Sequence, residues 1–332
     1  MLHRKIVLAR HPVGLPRLED FRLEETVVPT PQDGQVVIEH THLGLSPAAR
    51  IRMADDVRGY PAQTSIGGHV HGAAVGRVID SRHRDFPVGT EVMAVDGGLQ
   101  THAISDGSNL IRVDTSIAPA PAWLGPLGNA GFTAYCGLTF IGQPAAGENI
   151  VISSAAGAVG SMAVQIARLR GARVVGIAGG PDKCRKVVEE FGANVCVDYQ
   201  SPDFAADLAA AAPDGVDVYF DNVGGAVRDA VWPLMNPAGR VVVCGQITQY
   251  NRTQEEPGPD WYPLLTRGLL VQGLNWAKYL PAMDDFKAEV AAWLRSGAIT
   301  STEIIVPGLE QAPQSFIDML QGRHAGKVVI EL

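Results

Sequence analysis

The sequence predicts an α/β protein in which a doubly wound parallel sheet is inserted into a smaller β-rich domain. Three observations predict it. A βαβ unit with a small-residue turn spans 150–177, strand and helix signals alternate from there to 271, and short alternating runs rich in Gly and Pro fill roughly the first 120 residues.

Ile6, Val7 and Leu8 read as a strand, as do the alternating residues 35–39, 73–79 and 88–93, the last behind a turn. This is an all-β, barrel-like pattern. Ile150, Val151 and Ile152 form a β-branched run that ends in small residues. A helix opens directly behind it, with Val159, Met162, Ala163, Ile166, Ala167 and Leu169 at helical spacing and Gly171 as its stop. Val174, Val175 and Ile177 complete the unit. Helices are then expected at 181–191, 204–211 and 227–235, and strands at 195–197, 216–220, 240–244 and 269–271. Six strands with crossover helices imply a parallel sheet. The last helix is expected at 283–295, and strand-like runs at 303–306 and 327–332 return to the first domain. The domains are therefore read as 1–125 with 300–332, and 126–299.

Composition bounds the function. The chain has 332 residues, 46% hydrophobic and 19% charged, which is globular, and no apolar run approaches the ~20 residues that span a bilayer. A net charge of −8 argues against partners with anionic backbones or surfaces, so neither nucleic acid nor membrane is expected. The first residues lead straight into a strand without a secretory core, and the cytoplasm is the expected location. The four cysteines include no C-x-x-C pair, and Cys196 and Cys244 lie in apolar runs that predict buried thiols.

A ligand of such a sheet sits at the carboxyl ends of its strands, here 155–160, 178–180, 221–225 and 244–250. Ala155, Gly157 and Gly160 stand where a three-glycine fingerprint is expected, without its first glycine. Free N–H groups at the helix start and the helix dipole favour a pyrophosphate there. An NAD-selective site places an acid about 20 residues beyond the glycine turn. Residues 172–181 hold no Asp or Glu, and the strand runs out into Ala178-Gly179-Gly180, which leaves room for a 2′-phosphate. NADPH is the expected cofactor.

Four blocks in order carry a resemblance: Gly131-Phe132-Thr133-Ala134-Tyr135, residues 155–161, Tyr219-Phe220-Asp221-Asn222-Val223-Gly224-Gly225, and Cys244-Gly245-Gln246-Ile247-Thr248-Gln249-Tyr250-Asn251. Over nearly its whole length the chain closely resembles the zinc-independent, NADPH-dependent alkenal and prostaglandin reductases of the medium-chain dehydrogenase/reductase superfamily. The resemblance implies a GroES-like domain, a Rossmann domain and a homodimer. It also implies reduction of a C=C bond conjugated to a carbonyl, by hydride transfer to the β-carbon of a small activated alkene. Carried over position by position, Gly157, Ala158, Val159 and Gly160 face the pyrophosphate, and Lys183 pairs the 2′-phosphate with Arg185 as a second cation. Tyr199 lies near the adenine, Asn222 and Cys244 line strand ends, and Leu274, Asn275 and Trp276 run past the nicotinamide. Tyr250 matches the tyrosine of the fourth block, and a phenol donates a hydrogen bond at neutral pH without any shift. Whether it protonates the α-carbon, anchors the ribose or orders the loop stays open.

No metal is expected. Gly68-His69-Val70 lacks the acid of the zinc enzymes' Gly-His-Glu element, no cysteine precedes Cys136, and His69 and His71 share a strand face without a third ligand. Three positions depart from the family: Ala48 replaces a tyrosine, Asn129 a methionine and His324 an asparagine. His324 keeps the ability to donate to a cofactor. A quinone oxidoreductase and a non-catalytic NADPH-binding protein are the competing readings.

Overall fold

In the computed structural model, which describes residues 1–56, 63–254 and 258–332, contacts divide the chain into two units. One is Met1–Gly125 with Thr302–Leu332, the other Pro126–Ser301.

The first unit begins with an antiparallel pair, β1 (Leu2–Leu8) and β2 (Phe21–Val27). There follow β3 (Val36–Gly44), β4 (Ala73–Ser81), β5 (Glu91–Ala94), β6 (His102–Ser105) and β7 (Leu110–Arg112). Alternation explains them: Val36 and Ile38 of β3 bury their side chains with Val78, Val92 and Ala94 in one apolar cluster.

The second unit holds β8 (Asn149–Ile152), β9 (Arg173–Ala178), β10 (Val195–Asp198), β11 (Val216–Asp221), β12 (Met235–Val243) and β13 (Leu270–Gly273). They pair in the order β10-β9-β8-β11-β12-β13, every neighbour parallel. Helix Ala158–Leu169 connects β8 to β9, and Pro181–Glu189 connects β9 to β10. Ile150, Val151 and Ile152 are fully buried, which is why this central strand reads as an unbroken β-branched run rather than an alternating one. The chain leaves β8 toward β9 and β10 and returns to β11 on the other side. The crevice between the ends of β8 and β11 is therefore the switch point of the sheet.

The remaining strands, β14 (Glu303–Pro307) and β15 (Lys327–Glu331), belong to the first unit and complete the sheet β14-β15-β3-β4-β5-β7, with β6 added to β3. Two expectations need correction. The helix expected at 227–235 is Gly225–Val231, because Pro233 breaks the ladder and turns the chain through a 3₁₀ segment into β12 at Met235. A helix not expected, Ala312–Leu320, lies between β14 and β15 and buries Ala312, Phe316, Ile317 and Leu320. Among the described residues no helix is long and apolar enough to cross a membrane.

Candidate functional site

The turn after β8 is built from backbone. Ser154 takes φ 51, a left-handed conformation rare for a residue with a side chain, and throws the chain back toward the helix start. A Cβ on Gly160 would lie 2.0 Å from the Ser154 carbonyl oxygen, so only glycine permits this approach. The helix Ala158–Leu169 carries no side-chain cap, and its first N–H groups have no intrahelical acceptor. That arrangement fits a pyrophosphate.

Across the crevice, β11 ends in a buried polar network. The Asp221 carboxylate is 1% exposed, and its Oδ1 accepts the Val223 N–H at 2.9 Å, the Gly224 N–H at 2.9 Å and the Tyr219 hydroxyl at 2.8 Å. Ser153 donates to the same oxygen at 3.3 Å. Burial pushes the Tyr219 phenol far up, the neighbouring carboxylate adding to the effect, so it stays a donor. Asn222 is engaged here: its N–H reaches Ser153 Oγ at 2.8 Å and its amide Nδ2 the Ser153 carbonyl at 2.7 Å. It thus ties β11 to β8 rather than closing a turn on itself.

The loop 244–250 is tied to the same place. Cys244 N–H donates to the Asp221 carbonyl at 2.8 Å, and Thr248 Oγ1 donates to the Val223 carbonyl at 2.8 Å. The Tyr250 phenol oxygen accepts the Gln246 N–H at 3.3 Å, so the residue orders the loop that carries it. Burial raises the Cys244 thiol to about 12, which keeps it protonated. Cys136 is the fully buried thiol; Cys196 and Cys244, expected buried, keep intermediate exposure. Leu274 N–H donates to the Val243 carbonyl at 2.9 Å, Asn275 caps the following 3₁₀ turn by accepting the Ala277 N–H at 3.2 Å, and Trp276 stands edge-on to Phe132.

At the end of β9 the open corner expected from the sequence is present. Gly180 takes φ 87, and a Cβ there would meet no atom of the described residues within 4 Å. Lys183 is half-buried in the first turn of the following helix, and desolvation lowers its pKa, a cost that a bound anion would relieve. Arg185 is paired with Asp182 at 3.0 Å, both exposed. The half-exposed Tyr199 lays its ring over Gly179. Sequence reasoning missed Ser153, Ser154 and Asp198; the last accepts the Gly180 N–H at 2.8 Å. No local pattern marks Asp198, because its reach depends on parallel pairing with Ala178.

The second unit thus brings together Gly157, Ala158, Val159, Gly160, Lys183, Tyr199, Asn222, Cys244, Tyr250 and Leu274 along the carboxyl ends of one sheet. His324 lies in the first unit, just before β15. His71 is also there; its Nδ1 is 2.6 Å from Asp96, which Arg52 joins at 3.1 Å. A guanidinium in that cluster opposes a cation, and among the described residues no group of three His, Cys, Asp or Glu is placed to hold a metal.

His40, in the same unit, is buried; its Nδ1 pairs with the Gln100 carbonyl at 2.8 Å, and among the described residues its Nε2 has no hydrogen-bond partner. Burial lowers its pKa from 6.5 to about 4, with neighbouring histidines adding repulsion. The folded state therefore binds fewer protons than the unfolded one between these values, and stability falls as pH drops through that window. This one group is expected to remove about 2 kcal/mol between pH 7 and pH 5. Urea midpoints at the two pH values check it, and His40→Gln should flatten that part of the slope.

A family model described as the N-terminal domain of oxidoreductase matches residues 4–113, and one described as zinc-binding dehydrogenase matches residues 158–296. The chain is 44% identical to NADPH-dependent curcumin reductase of Escherichia coli (strain K12), over 99% of this chain and 97% of that protein. It is 36% identical to prostaglandin reductase 1 of Bos taurus over the full length of both. With the 2-alkenal reductase (NADP(+)-dependent) of Nicotiana tabacum, identity is 30% over 99% and 97% of the two chains. CurA from Vibrio vulnificus, solved in complex with NADPH, superimposes with a TM-score of 0.94 at 41% identity, covering 99% of this chain and 98% of that one.

Proposed function

Because this chain belongs to the NADPH-dependent double-bond reductases of the medium-chain dehydrogenase/reductase superfamily, we propose that it reduces the C=C bond of α,β-unsaturated ketones and aldehydes. The observation that carries the cofactor side is one sheet that ends in both a glycine-walled turn at Gly160 and an open corner flanked by Lys183. When bound, NADPH would supply the hydride for the β-carbon. The chain's own residues hold the dinucleotide: the N–H groups of 158–160 its pyrophosphate, Lys183 its 2′-phosphate, and Tyr199 its adenine side. Asn222, Cys244, Leu274, Asn275 and Trp276 wall the remainder. Tyr250 is proposed to donate a hydrogen bond that stabilises charge growing on the substrate oxygen. In this reading 126–299 is the cofactor domain, 1–125 with 300–332 is the substrate domain, and no zinc takes part.

The test is a panel of enones, enals and quinones assayed for NADPH oxidation, with the saturated ketone or aldehyde product identified. Turnover of quinones alone would overturn the reading. Lys183→Ala is expected to weaken NADP⁺ binding by about 30-fold and NAD⁺ binding by less than about 2-fold, since it removes one charge-assisted contact; calorimetric titration of both reads it.

We also place the protein in the cytoplasm as a homodimer. Four free cysteines fit a reducing compartment. The outer edge of β13 supports the dimer: Leu270 is 65% exposed on that strand, and Leu265 is 79% exposed just before it. Sedimentation equilibrium measures the state directly.

A further inference from the structure

Asp198, at the end of the strand beside β9, is an acid in this corner that the cofactor reading does not use. Asp198 closes β10, in register with Ala178, the last residue of β9. Its Oδ1 accepts two backbone donors, the Gly180 N–H at 2.8 Å and the Gln200 N–H at 2.9 Å. Tyr199, between them, donates its own N–H to the Ala178 carbonyl at 3.0 Å. Its ring covers Gly179 so closely that a Cβ there would fall 2.8 Å from Cε1.

The chemistry of these contacts is specific. Two consecutive glycines, 179 and 180, have the widest conformational freedom of any dipeptide, and holding them in one shape needs an outside constraint. Gly180 is held at φ 87 and ψ 153, a region that residues with side chains avoid. The carboxylate that bridges both strand ends is the constraint. An acid at this rim would, on position alone, accept the ribose hydroxyls of NAD and repel a 2′-phosphate. Here one of its oxygens, Oδ1, already faces two N–H dipoles, which hold the carboxylate against the backbone. The acid therefore shapes the corner from behind.

We propose that Asp198 is a positioning residue that sets the preference for NADPH, locking the 178–180 turn open for the 2′-phosphate through Gly180 and Tyr199 without touching the cofactor. The assignment rests on the NADPH reading above. It separates two things that one carboxylate does: the hydrogen bonds favour the phosphate-binding shape, while the residual negative charge opposes the phosphate. Removing both and removing only the charge must then act in opposite directions.

The experiment titrates the full chain and its variants with NADP⁺ and with NAD⁺ by calorimetry, with thermal midpoints alongside. Asp198→Ala should weaken NADP⁺ about 10-fold and NAD⁺ by less than about 2-fold, because the lock is lost where only the phosphate needs it. Asp198→Asn keeps a carbonyl oxygen for both N–H groups, so NADP⁺ should bind at least as tightly as to the wild type. Gly180→Ala, which strains the same turn from its other side, should copy Asp198→Ala and serves as the reading if that variant does not fold. Equal weakening of both dinucleotides, no weakening of either, or an Asn variant as weak as the Ala variant would overturn the assignment while leaving the cofactor reading intact. A wild type that does not prefer NADP⁺ would overturn that reading, and the assignment with it.

Discussion

Replacing Gly160 with alanine is expected to weaken NADP⁺ binding by at least about 100-fold, or about 3 kcal/mol. The new Cβ would stand 2.0 Å from the Ser154 oxygen, 2.7 Å from its carbonyl carbon and 2.9 Å from Ala155 Cα. All three are backbone atoms, so no rotamer change relieves the clash, and the helix start must move away from β8. Overpacking of this kind costs about 1–3 kcal/mol in stability, to which the binding loss adds because the displaced N–H groups no longer converge on a pyrophosphate. Calorimetry gives the affinity and a urea titration the stability. A variant that binds NADP⁺ as the wild type does would mean that the turn is not the pyrophosphate cradle.

The second large effect is on stability. Asp221→Ala removes the acceptor of the Val223 and Gly224 N–H groups, the Tyr219 hydroxyl and the Ser153 hydroxyl in a place closed to water. Hydrogen bonds to charged groups are worth about 1.5–3 kcal/mol each and are not additive when they share one acceptor, so the loss is expected near 4 kcal/mol. Asp221→Asn keeps an acceptor oxygen and should cost about half as much. Because Asn222 and the loop 244–250 hang on the same network, cofactor affinity should fall with the alanine variant as well. A urea midpoint that implies less than about 1 kcal/mol would show that the network carries little of the fold.

How much of this was legible differs from residue to residue. Ile150, Val151 and Ile152 announce a central parallel strand because burial on both faces leaves no polar position to alternate with. The corner at 178–180 was legible as an absence of acids, yet Asp198 lies twenty residues from Ala178 and reaches it through strand pairing that no local pattern encodes. The helix Ala312–Leu320 carried its apolar spacing openly. Pro313 reads as a breaker, but it sits in the first helical turn, where a missing N–H costs nothing. Pro233 is the opposite case, ending a helix that apolar spacing alone extends to 235. Tyr250 was found by its match to a family block. Its tie to Gln246 could not be read from spacing, since it depends on how a four-residue helix folds back.

Strand β3 joins three neighbours, β4, β6 and β15, and the last of these reaches it only after the whole of the second unit has been traversed. During synthesis the middle of the polypeptide has everything it needs to close on itself, whereas the opening segment leaves the ribosome with an unpaired flank at Leu43 and Gly44. That flank must wait, exposed, for Val329 and Ile330 to arrive, which makes nascent chains stalled before this point the ones most in need of a chaperone.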